Sequence, residues 1–165
     1  MFLRKPSLVI VLFSLLLIGV ACSQKSVTQN EIEFPEDIPE YVDEDDFDQI
    51  NWENKAVEFG DRGIIGNENK SGVIGAEMPS LNGQKWMWHL WGVDNGDLTI
   101  VGYHKESGTV HKILMDGWTI QAQSPNNGAD SHAPSSVKIP KIGEWAILLY
   151  VDGTLFDTLI YEISE

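Results

Sequence analysis

Cysteine and positive charge are both scarce in this chain. Of its 165 residues one is a cysteine, Cys22, so a single chain can form no internal disulfide. An exported domain without disulfides must rest on a hydrophobic core, and the residues from 51 onward are numerous enough to build one. Lysine and arginine together number 11 against 25 acids, a formal net charge of −14. Such a surface repels DNA, RNA and anionic lipid headgroups, which excludes nucleic acid as a partner. No stretch shows a sustained 3.6-residue apolar period. There is no G-x-S-x-G elbow, no H-E-x-x-H pair and no P-loop, and the sole cysteine sits at the end of an export-like segment. The expectation is a protein that is not an enzyme, with no catalytic residues, no cofactor and no metal site.

What is present begins with an export signal. Arg4 and Lys5 form a basic start, an apolar run covers residues 8–20, and Ala21-Cys22 closes it. The run is shorter than the roughly 18–20 residues a membrane-spanning helix needs, so residues 1–21 read as a signal peptide. Residues 18–23, IGVACS, resemble the lipobox of bacterial lipoproteins, with Gly19 where that box has Leu, Val or Ile. The resemblance implies that Cys22 receives a diacylglyceryl group and becomes the new N-terminus. Two acyl chains give stable attachment where one does not. The implied location is the outer face of the cytoplasmic membrane, with the membrane itself as a partner through Cys22.

Residues 22–50 read as the lipidated cysteine plus an acidic, disordered linker. Ten acids fall between residues 23 and 49, and no basic residue lies between Lys25 and Lys55. Pro35 and Pro39 break any helix, and like charge with scattered apolar residues favours disorder. Asp43, Glu44, Asp45, Asp46 and Asp48 are hard oxygen ligands, but the Gly and the twelve-residue spacing of a calcium loop are missing.

Residues 51–165 read as one domain: an immunoglobulin-like antiparallel β-sandwich of about 7–9 strands, with turn signals every 8–12 residues. The clearest element is a terminal hairpin. Trp145, Ile147, Leu149 and Val151 share one face and Ala146, Leu148 and Tyr150 the other, so the strand is expected to be covered on both sides. Asp152-Gly153 is a type I′ turn signal, and the changing register of the return strand predicts a bulge near Asp157. Other expected strands cover residues 55–59, 73–77, 84–91, 98–104, 110–115, 118–123 and 137–139. Residues 60–72 and 124–135 read as loops.

Two stretches carry candidate binding residues. In residues 85–92, Trp86 and Trp88 share one face of a strand, and His89 and Trp91 lie on the other. Three tryptophans could stack on sugar rings. Core packing is the favoured alternative, with His89 as a hydrogen-bonded structural histidine. In residues 124–136, Asn126, Asn127, Asp130 and His132 could gather around a small ligand or cation. The alternative is a loop held by its own Asx-type hydrogen bonds. His104 and His111 lie on separate predicted strands and could meet across a hairpin, but two histidines are no metal signature.

Residues 87–92 (MWHLWG), 125–140 (PNNGADSHAPSSVKIP) and 143–156 (GEWAILLYVDGTLF) resemble a family of uncharacterised lipoproteins and secreted domains of Gram-positive bacteria. That family carries a Trp-His-x-Trp-Gly block, a Pro-Asn-Asn-Gly-Ala-Asp-x-His block followed by Pro-Ser-Ser, and a Gly-x-Trp strand entering a hairpin. The resemblance implies fold and location, not an activity. The leading expectation is a lipid-anchored surface protein whose sandwich binds an unknown ligand, a cell-wall polymer or another envelope protein. The alternatives are a carbohydrate-binding module using Trp86, Trp88 and Trp91, and a metal-dependent hydrolase around Asp130 and His132.

Overall fold

A computed structural model describes residues 32–75 and 81–164. The signal peptide, Cys22 and the linker up to residue 31 lie outside the described residues, as do residues 76 and 77 of one expected strand. The fold is an antiparallel β-sandwich of two five-stranded sheets. In chain order the elements are α1 (Glu44–Asp48), β1 (Val57–Phe59), β2 (Ile64–Asn67), β3 (Ser71–Ile74), β4 (Gln84–Leu90), β5 (Gly96–His104), β6 (Thr109–His111), β7 (Thr119–Ala122), β8 (Ser131–Val137), β9 (Gly143–Val151) and β10 (Thr154–Ile163). One sheet runs β1-β2-β3-β4-β8. The other runs β10-β9-β5-β6, with β7 paired to the first half of β5.

The β9–β10 hairpin turns where the Asp-Gly pair places it. Asp152 and Gly153 have φ of 49° and 80°, the doubly left-handed turn that suits the strand twist. The bulge falls between Leu155 and Asp157. It sends the Asp157 carboxylate across to the other sheet, where it accepts from Ser71 Oγ at 2.5 Å and from Asn67 Nδ2 at 3.0 Å. Trp145, Ile147 and Leu149 point into the sandwich against Trp86, Trp88 and Leu90 of β4 and Leu98 and Ile100 of β5.

Ten strands exceed the expected seven to nine. β2 and part of β3 lie in residues 60–72, expected as loop because of their Gly and Asn content. A Cβ at Gly66 would sit 2.2 Å from the Ser71 carbonyl oxygen, so this glycine permits close approach of β2 and β3. The expected loop at residues 124–135 is shorter as well, since β8 begins at Ser131.

The second face of β9 overturns the disordered linker for residues 32–50. Ala146, Leu148 and Tyr150 point away from the sandwich, yet all are buried. They are covered by the acidic segment. Val42 and Phe47 are buried in the same cluster, with Ile32, Phe34, Ile38, Ile50 and Trp52 packed around them. Phe47 meets Phe34 and Tyr103 at ring-centroid distances of 5.5 and 5.0 Å. The charge does not prevent this, because the acids between residues 32 and 49 are exposed apart from half-buried Asp46.

Asp46 has two tasks. With Asp43 it closes a capping box at the start of α1. Its Oδ2 also accepts from the buried Tyr150 hydroxyl at 2.9 Å. Farther out, Lys112 pairs with Asp37 and Tyr41 Oη lies 2.6 Å from Thr99 Oγ1. The segment is a strap over the β9 sheet, and α1 is its one helical turn.

Deleting residues 1–50 should therefore destabilise the domain. Loss of Val42 and Phe47 burial alone amounts to roughly 3–6 kcal/mol. Phe47→Ala in the full chain should cost about 3–5 kcal/mol. Urea unfolding followed by tryptophan fluorescence measures both, and midpoints equal to the full chain's would show that the strap adds nothing.

Candidate functional site

The Asn-Gly pair in the segment between β7 and β8 folds it into a tight hairpin. Asn126 and Ala129 exchange both backbone hydrogen bonds, at 3.2 and 2.9 Å, around Asn127 and Gly128 with φ of 51° and 85°. This second left-handed pair carries the signal that marks the β9–β10 turn, and the sequence shows it as clearly.

The hairpin tip folds onto the outer face of β4. Asn127 Nδ2 donates to His89 Nε2 at 3.0 Å, and Asn126 Nδ2 lies 3.4 Å from Met87 Sδ. Trp91 Nε1 donates to the Gly128 carbonyl at 2.9 Å. Asp130 accepts from the Gly92 N–H at 2.6 Å, while its own N–H bonds the Leu90 carbonyl at 3.0 Å. His132 sits opposite His89 in the β4–β8 register, and its Nδ1 donates to the Ser124 carbonyl at 2.6 Å. Loop and strand thus meet in space, and most of the polar side chains singled out in the loop hold it there. Asp130 and His132 turn to different partners, which leaves the hydrolase reading without a shared centre. Among the described residues no group of three or more His, Cys, Asp or Glu side chains could hold a metal ion.

The tryptophans divide by strand alternation. Trp86 and Trp88 are 1% and 0% exposed and pack in the core, so the sugar-stacking reading of these two is corrected. Trp88 Nε1 satisfies its polar atom on Ser135 Oγ at 2.8 Å. Trp91 is half-buried, with its ring 5.6 Å from Phe59 and 6.3 Å from His89. His89 is fully buried beneath the hairpin tip. Because its Nε2 accepts from Asn127, the proton sits on Nδ1, which makes no well-formed hydrogen bond among the described residues and has the Met87 backbone nearby. Burial holds the His89 pKa below the ordinary 6.5 and nearby His132 acts the same way, against an opposing effect of the Met87 backbone. The face that remains toward solvent combines Trp91, Asn126, His132 and Asp130 on a rigid support.

Comparison with known proteins places this arrangement in context. The model of a domain of unknown function, DUF4871, matches residues 41–161. That match begins inside the strap. Among solved structures, the chain is similar to one called "a Putative Lipoprotein from Bacillus anthracis", with a TM-score of 0.63 at 18% identity. The similarity covers 77% of this chain and 96% of that one, and at this identity it speaks to the fold. No curated protein matches the sequence.

Two outcomes follow from the latch. Asn127→Gly keeps the left-handed turn and removes only the bond to His89, so it should cost about 1–3 kcal/mol. An unchanged melting temperature would remove the latch role. Acidification should also weaken the fold. The folded-state pKa of His89 is depressed, so the unfolded chain takes up the proton first. Half-buried His111 is lowered in the same direction, by burial and then by Lys141 and His104. The stability is present above 6.5 and is lost as pH falls below that value. Thermal melts between about pH 7.5 and pH 5 check the sign, and a melting temperature that rises on acidification contradicts it.

Proposed function

The chain belongs to the DUF4871 family of domains of unknown function, and on that premise we propose that it is a lipid-anchored extracytoplasmic protein that binds an envelope partner through its sandwich. The anchor rests on the lipobox-like run ending at Cys22, and the neighbour's name of lipoprotein supports it. The observation that carries binding as the role of the loop–strand face is the latch. Asn126, Asn127, Asp130 and Trp91 fix the hairpin to β4, which presents a preformed surface and loses little entropy on association. The polar side chains of this face are committed to holding the hairpin in place, which supports a recognition role for it. A cell-wall polymer or another envelope protein suits it, with half-exposed Trp91 as the aromatic contact.

Membrane attachment is tested by Cys22→Ala. In detergent phase partitioning the wild type should enter the detergent phase, and the variant should stay aqueous or unprocessed. Equal partitioning of both would sink the anchor. Recognition is tested by co-sedimentation of the full chain with purified cell envelopes. Trp91→Ala should reduce the bound fraction several-fold, and by more than Asn127→Gly, which loosens the latch but leaves the Trp91 ring in place. An undiminished bound fraction would remove this face from the role.

A further inference from the structure

We propose that Ser107, at the β5–β6 turn of the sheet opposite the latch, is an acyl-accepting nucleophile that cleaves neutral, short-chain carboxylic esters. Its hydroxyl lies 2.8 Å from Nδ1 of His104. The Ser107 backbone N–H also points at Nδ1, at 3.3 Å, so that nitrogen carries the lone pair. The ring proton is then on Nε2, which faces the Ile142 carbonyl at 2.9 Å and the Glu106 carboxylate at 2.9 Å. The other Glu106 oxygen accepts from the Glu144 N–H at 3.2 Å, which orients the acid. A hydroxyl on the basic nitrogen and a carboxylate on the protonated one is the arrangement by which a base activates serine. Here Nδ1 takes the serine and Nε2 the acid, and the division of labour is the same.

The surroundings are built for this contact. His104 is 5% exposed and its ring packs 4.9 Å from that of Trp145, while Ser107 is open to solvent. A Cβ at Gly143 would fall 2.6 Å from His104 Nε2 and 2.7 Å from Glu106 Oε2, so base and acid meet in space that only glycine leaves. Lys141 Nζ lies 3.2 Å from Ser107 Oγ, a cation beside the point where an oxyanion would form. Thr109 Oγ1, 2.6 Å from Ser107 Oγ, is also on the wall of a depression of about 250 Å³ between the strap and β6. Phe34, Pro35 and Val110 give that depression an apolar side sized for a short acyl group. The net charge of −14 disfavours anionic esters.

In the reaction Ser107 Oγ attacks the ester carbonyl carbon and its proton passes to His104 Nδ1. The tetrahedral oxyanion collapses, the alkoxide leaves with the proton from Nδ1, and an acyl ester remains on Oγ. Water repeats the sequence, releasing the carboxylic acid and restoring the serine. Glu106 is a positioning residue in this scheme.

The test uses the purified full chain in detergent, with a fluorophosphonate probe and p-nitrophenyl acetate. The probe should mark Ser107 in peptide mass maps, and acetate release should exceed the buffer rate by roughly 100-fold. Ser107→Ala should lose both signals at an unchanged melting temperature. Glu106→Gln should slow probe labelling about tenfold or more at unchanged melting temperature, with partial recovery in Glu106→Asp. A native chain unlabelled at Ser107, or one labelled no faster than in urea, overturns the proposal and leaves the cluster as a turn brace.

Discussion

The structure depends on burying β9 on both faces. A strand in a two-sheet sandwich has one face supplied by the opposite sheet. Trp145, Ile147 and Leu149 use that face. Ala146, Leu148 and Tyr150 face outward, and Val101, Val110, Trp118 and Ile160 join them to make an apolar area that water would otherwise wet. The strap is the physical answer. It carries the chain that leads from the proposed anchor at Cys22 straight onto the domain's second core.

This constraint was partly visible in the sequence. The two apolar faces of β9 announced that both sides would be covered, and Asp152-Gly153 and the shifted register after Phe156 located the turn and the bulge. The cover itself was missed because composition was weighed as a whole. Ten acids and two prolines suggested disorder, while Val42 and Phe47 needed only to point one way and the acids the other. Average charge says little about a segment whose charges, Asp46 apart, face solvent. β2 was missed for a related reason, since Gly66 and Gly72 serve close strand packing and not a turn.

The candidate sites divide along the same line. Strand alternation separated Trp86 and Trp88 from His89 and Trp91 correctly, and the inner pair went to the core. The Asn-Gly turn explains why the loop folds back on β4, but the partners of its side chains, Met87, Gly92 and the Ser124 carbonyl, could not be paired from a linear chain. The Ser107 cluster was hidden in a different way. His104, Glu106, Ser107 and Thr109 are near neighbours in a turn and look like ordinary polar filler. Only the arrival of Lys141, just before β9, and Gly143, its first residue, gives the group its shape. The hairpin that organises the core thus also supplies one side of this cluster, while the strap supplies Phe34 and Pro35 beside it.

Whether the acidic segment is a strap or a free tether is the point on which the rest turns. Hydrogen–deuterium exchange of the full chain resolves it peptide by peptide. Amides in residues 41–50 should be protected well above random-coil rates, alongside the more slowly exchanging residues 145–150 of β9. Random-coil exchange across residues 41–50, with β9 still protected, would contradict the account.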